Sequence, residues 1–177
     1  KEGVWDSGFL MDWNMAKTIP WGILVLFGGG LSLASAIDQT GLAVWIGGII
    51  SGISVLPVIV VIFAVVTLMV YLTELTSNTA TTAAFLPVVA SLSLGIGQNP
   101  LLLAIPVTLA ASAAFMLPVA TPPNAIVFGS GFVSIPQMAK AGVWLNLAFI
   151  MLISVMAYFL VQWVYGVELG LLPVWAQ

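Results

Sequence analysis

In a chain of 177 residues, 62% are hydrophobic, only 5% are charged and mean hydropathy is +1.21, which leaves too little polar surface to cover a soluble domain. Three lysines without an arginine cannot neutralise a nucleic-acid backbone, so no nucleic acid is expected as a partner. The absence of cysteine and histidine removes disulfides, thiolate metal sites and most catalytic side chains, and leaves an all-α polytopic membrane protein in contact with membrane lipid as the expected class.

The chain opens on Lys1-Glu2-Gly3, with no initiating Met and no basic region feeding an apolar core, so it reads as the cut edge of something longer rather than a signal peptide. Trp5 and Trp13 suit a membrane interface. Residues 20–35 form the first embedded helix, extendable backward toward Lys17 to approach the roughly 20 residues a span needs. Gly28-Gly29-Gly30 inside it permits either close backbone approach or bending, and no Lys-Ser or Lys-Thr follows to make a phosphate loop. Asp38-Gln39-Thr40-Gly41 reads as a boundary turn, and the glycine-rich stretch 42–53 as an interfacial or linking segment too short to cross.

Pro57 opens the next helix, which carries no charge as far as Thr73 and runs to about Leu75 before meeting the polar run Thr76-Ser77-Asn78-Thr79. A second limb over 79–93 is about 15 residues and roughly 22 Å long, shorter than the bilayer core. A helix that stops inside a bilayer exposes backbone groups that lipid cannot satisfy, so protein, water or ions must surround the break. These limbs predict a re-entrant hairpin with its tip in the membrane interior. Glu74, the sole charge between Asp38 and Lys140, sits near a helix C-terminus where a negative group needs a donor, water or cation beside it; a structural role and cation attraction are both open.

Gly95-Ile96-Gly97-Gln98-Asn99-Pro100 is an outer turn. A helix over 101–117 follows, broken by Pro118 and by Ala120-Thr121-Pro122-Pro123-Asn124, and a short helix runs from 124 to about 132. Ser134-Ile135-Pro136-Gln137 and Lys140 mark the far surface, 141–167 is an uncharged span, and a short interfacial tail covers 169–177, with Trp163, Tyr165 and Trp175 as belt residues. The expected division is scaffold-side or linking helices over 1–54, a hairpin over 55–95, a discontinuous helix over 99–135, and a final transmembrane helix and tail over 140–177.

At each break one helix ends in free carbonyls and the next begins with free N–H groups and the positive end of its dipole. Carbonyl, hydroxyl and amide oxygens are hard ligands for a small cation such as Na⁺, while helix N-termini suit a carboxylate. With no lysine inside either break, an anion there depends on helix ends, hydroxyls, amides and co-bound cations, which couples anion binding to cation binding.

The Thr76-Ser77-Asn78-Thr79 run, followed by Ala120-Thr121-Pro122-Pro123-Asn124-Ala125, resembles the C-terminal half of the divalent anion/sodium symporter family, in its INDY-type dicarboxylate branch, over essentially the whole chain. The resemblance implies one of two inverted repeats, each supplying a re-entrant hairpin with a Ser-Asn-Thr tip and a discontinuous transmembrane helix. Carried onto this chain, Ser77, Asn78, Thr79, Thr121 and Pro122 would meet the substrate, while Thr73, Asn78 and the carbonyl of Ala120 would hold Na⁺. It further implies the N-terminal half of the same transporter as partner, and a homodimer of full-length protomers with moving transport domains and a dimerising scaffold. The implied activity is not enzymatic: it is sodium-coupled symport of C4-dicarboxylates (succinate, malate, fumarate) across the bacterial inner membrane by alternating access. A sodium-independent dicarboxylate exchanger and an anion channel are the alternatives; basic side chains in the cation positions would mark the exchanger, and this chain has none there.

Overall fold

An uncharged apolar run can be buried on any side, and a helix satisfies its own backbone without water. The computed structural model describes residues 12–19, 21–42, 45 and 57–174, and among them there is no strand. Seven helices are described: α1 (Trp13–Ala16), α2 (Trp21–Gln39), α3 (Val58–Thr73), α4 (Asn78–Gly95), α5 (Leu101–Ala110), α6 (Pro122–Gly129) and α7 (Ile135–Tyr165). Helices α3, α5 and α7 pack on one another, α4 lies on α5, and α2 lies along α4. Ile62, Val66 and Met69 of α3 share one core with Leu102 and Val107 of α5 and with Ile150 and Val161 of α7.

Helix α7 shows how the surroundings select its faces. Its buried positions, Met138, Gly142, Asn146, Ile150, Ile153, Ser154, Ala157 and Val161, follow the helical repeat and form one stripe. That stripe carries the polar Asn146 and Ser154, while Trp144, Met151, Phe159 and Trp163 on other faces are exposed. Polar inside and apolar outside reverses the soluble pattern and suits a helix facing lipid. With 31 residues the helix is about 46 Å long, more than the roughly 30 Å hydrocarbon core requires. Among the described residues it is the one helix long and apolar enough to cross a membrane by length and composition alone. A reciprocal Ser134–Gln137 capping box starts it, and left-handed Gly166 at φ +61° ends it.

Several boundaries differ from those expected. Helix α2 continues past Ser35 to Gln39, and Thr40 then closes it by donating its hydroxyl to the Ala36 carbonyl at 2.7 Å, so the turn begins two residues later than Asp38. The helix passes unbroken through Gly28-Gly29-Gly30, and nothing lies within 4 Å of where a Cβ would stand at Gly28 or Gly29, so neither unwinding nor close helix contact is found at those two positions. Apart from Leu42 and Trp45, the 42–53 segment lies outside the described residues, as do Trp5 and Trp175. Helix α4 begins at Asn78 and reaches Gly95, 18 residues or about 27 Å, a turn longer than expected. The outer turn after it is as expected, with Gly97 at φ +69° and the Gln98 amide donating back to the Ser93 carbonyl at 2.8 Å.

The largest difference is at the second break. Helix α5 ends at Ala110, not at Leu117, and residues 111–121 are irregular before α6 begins. Side chains from α3 and α6 take the backbone groups that a longer helix would have paired internally, as described below. Helix α6 starts at Pro122, two residues before the expected start, because two prolines without N–H groups fit a first turn whose amides have no helical partner. It stops at Gly129, with Ser130 as C-cap and Gly131 at φ +76°.

Candidate functional site

The first break is short. Thr73 is fully buried at the end of α3, and its hydroxyl lies 2.7 Å from both Asn78 Oδ1 and the Ala111 carbonyl oxygen. A hydroxyl has one proton, so it donates to one of the two at a time, and three oxygens converge at this point. Thr76 donates to the Leu72 carbonyl at 2.9 Å and its hydroxyl also bonds that of Thr81, which fixes the turn on both sides of the tip. Ser77 is the N-cap of α4, yet its side chain makes no capping bond; only its carbonyl is used, accepting from the Thr81 amide at 2.8 Å. The first turn of α4 therefore keeps its N–H groups and the positive end of its dipole for another acceptor. The Ser77 hydroxyl caps nothing, and Ser77 is exposed at the tip.

The second break is long, and its backbone is held by side chains from elsewhere. Glu74, only 3% exposed, accepts from the Phe115 amide at 2.7 Å and the Leu117 amide at 3.1 Å, with the Met116 amide shared between both oxygens at 3.0 and 3.1 Å. The Asn146 side-chain amide of α7 donates to the same carboxylate at 2.8 Å. Asn124 donates to the carbonyls of Ala114 and Leu117, each at 3.0 Å, and Thr73 reaches that of Ala111. Phe115 also packs its ring on Phe149 of α7, with centroids 4.9 Å apart. Thus the amides of 115–117 and the carbonyls of 111, 114 and 117 all have protein partners, as unwound backbone inside a membrane requires.

The expectation that both new helices offer free amides is corrected at the second break. Pro122 and Pro123 have no N–H, and the Asn124 amide donates to Thr121 Oγ1 at 3.4 Å. With the Ala125 amide on the Thr121 carbonyl at 3.1 Å, the first turn of α6 has no amide to spare. Thr121 itself uses an oxygen lone pair for the cap and retains its hydroxyl proton.

The two breaks face each other across one open cavity of about 830 Å³, whose wall includes Ser77, Asn78, Thr79, Ala120, Thr121 and Pro122. Six of the seven residues singled out from the sequence are thus brought together there. The seventh, Thr73, lies outside the lining and touches it through its hydrogen bond to Asn78. On the second break the bonded partner of Thr73 is Ala111 rather than Ala120. The available ligands are hydroxyl, amide and carbonyl oxygens, hard donors that fit Na⁺, and among the described residues no Lys or Arg lines the wall. Residues 7–167 match the family model described as the sodium:sulfate symporter transmembrane region. The chain belongs to the sodium:sulfate symporter family. Membership makes it a membrane protein. Among similar proteins, the sodium-dependent dicarboxylate transporter SdcS of Staphylococcus saprophyticus is 48% identical over 162 residues, which are 90% of this chain and 31% of that protein. The protein of the same name from Staphylococcus aureus strain MRSA252 is 46% identical over 161 residues, 91% of this chain and again 31% of the relative. The chain therefore spans less than a third of these curated relatives, and corresponds to their C-terminal part. Both relatives carry the names of transporters rather than enzymes.

Three residues that shape this site escaped the sequence: Ala111, Gly142 and Asn146. Asn146 had a usable signal, since an amide inside an uncharged membrane span marks a polar partner nearby. Ala111 contributes through its backbone, which side-chain identity does not advertise.

Proposed function

We propose that this chain is the C-terminal part of a sodium-coupled symporter of C4-dicarboxylates such as succinate, malate and fumarate, working by alternating access in the bacterial inner membrane. The observation that carries the proposal is the pairing, in one cavity, of an uncommitted helix N-terminus at Ser77–Thr79 with the oxygen-rich second break at Ala120–Thr121. One carboxylate of the substrate accepts from the first-turn amides of α4 and from the Ser77 and Thr79 hydroxyls, with Thr121 and Pro122 bounding the pocket. Na⁺ binds among Thr73, Asn78 and the Ala120 carbonyl and compensates the dianion, since among the described residues no basic side chain lines the cavity. The dicarboxylate is preferred to sulfate because the similar proteins named above bear dicarboxylate names.

On this proposal 55–95 is a re-entrant hairpin and 99–135 a discontinuous helix of the transport domain, 1–54 and 140–177 supply scaffold-side and final transmembrane segments, and an inverted repeat in the N-terminal half completes the site within a homodimer. Limbs of 16 and 18 residues, about 24 and 27 Å, support the hairpin, since both fall short of a roughly 30 Å bilayer core. The test is succinate uptake into proteoliposomes holding the full-length protein, with and without an inward sodium gradient at clamped voltage. Accumulation that needs the gradient and is lost in Asn78→Ala is the expected result. Sodium-free uptake that requires internal dicarboxylate replaces symport with exchange, and passive flux too fast for alternating access replaces it with a channel.

A further inference from the structure

Glu74 stands outside the cavity wall, one residue beyond Thr73, and is buried to 3% exposure. Its two oxygens hold the amides of Phe115, Met116 and Leu117 and the side chain of Asn146. The same segment is confined from the side of α7. A Cβ on Gly142 would stand 2.5 Å from the Phe115 carbonyl oxygen and 2.6 Å from Met116 Cα, distances at which the backbone has to move. Residues 115–117 are thus clamped between a carboxylate and the bare backbone of a glycine. Three residues further along the chain stand Ala120 and then Thr121, in the cavity wall.

We infer that Glu74 is a positioning residue: by pinning 115–117 against Gly142 it sets where Ala120 and Thr121 stand in the cavity, and it acts through these hydrogen bonds rather than by drawing cations with its charge. With four donors on its two oxygens, the carboxylate is committed to the segment. The inference rests on the sodium–dicarboxylate reading of the cavity, and its test separates the two. Glutamine at this position keeps the shape but turns an NH₂ group toward backbone amides, whereas alanine at Gly142 keeps the charge and shifts the same backbone from the opposite side.

In sodium-titrated succinate uptake by the full-length protein, Glu74→Gln is expected to raise the half-saturating sodium concentration about tenfold while the rate at saturating sodium changes little. Gly142→Ala is expected to give a rise of the same order, and Asn146→Ala, which removes one donor of four, about threefold. A rise in Glu74→Gln without one in Gly142→Ala makes the charge itself the agent and overturns the inference, as does no rise in either. If Glu74→Gln does not reach the membrane, the other two variants decide: a rise in both supports the clamp, and no change in either overturns it. A second readout needs no transport. In a cysteine-free full-length background, Val119→Cys, at a position 83% exposed, reports the segment through its maleimide-labelling rate. Should wild-type uptake prove independent of sodium, the functional proposal falls and labelling alone decides: a severalfold change on adding Gly142→Ala or Glu74→Gln supports the clamp, and an unchanged rate overturns it.

Discussion

The two helix breaks solve the same problem in opposite ways. Residues 74–77 turn the chain between α3 and α4 in a single tight bend, stabilised by local hydroxyl bonds, and leave the first turn of α4 without a side-chain cap. Residues 111–121 run irregularly between α5 and α6, and their backbone is paired by Thr73, Glu74 and Asn124, while α6 starts with two prolines and a capped amide. A short break can leave donors open because few groups are exposed; a long one has to be anchored group by group. The division that follows is chemical: an uncapped first turn with open donors at the first break, and a first turn with no amide to spare at the second. It is also mechanical, since the long break hangs from the last turn of α3, next to the short one.

That contrast can be broken by substitution, and the largest effect belongs to Glu74→Leu. It would strand three amides and the Asn146 side chain, each orphan costing about 1–3 kcal/mol, so the full-length protein should lose most of its membrane accumulation and thermal stability. Normal accumulation with an unshifted melting temperature would mean that the second break does not depend on α3. Asn124→Ala removes the donor to two carbonyls and should destabilise by about 1–3 kcal/mol, read by thermal unfolding in detergent. Thr121→Ala deletes a single cap and should cost about 1 kcal/mol. Smallest of all, Ser77→Ala removes a hydroxyl that caps nothing, so stability should stay within about 0.5 kcal/mol while dicarboxylate affinity falls. Equal destabilisation by Ser77→Ala and Thr121→Ala would erase the asymmetry.

The places where the membrane helices break were legible because hydroxyls, amides and prolines in an uncharged chain have few other uses. The extents were not. An apolar run such as 101–117 looks helical throughout, and only the distant Glu74, whose carboxylate competes for the amides of 115–117, shows why α5 stops at Ala110. Pro122 and Pro123 read as part of the break rather than as the helix start they make, and their consequence, a first turn without spare amides, depends on Thr121 capping Asn124. Glu74 itself stood out as a lone charge, and the choice between structure and cation attraction needed its four donors. Gly142 was one glycine among 17, and nothing in its neighbours in sequence reveals that the Phe115 carbonyl lies against it.

The central claim is that both breaks belong to one site where cation and anion bind together. Its most direct test is equilibrium binding of radiolabelled succinate to the purified full-length protein across a sodium titration, in the wild type, Asn78→Ala and Thr121→Ala. The account predicts sodium-dependent succinate binding in the wild type, with each substitution weakening the sodium and the succinate dependence together. Succinate affinity indifferent to sodium, or a variant at one break that leaves both dependences unchanged, would contradict it.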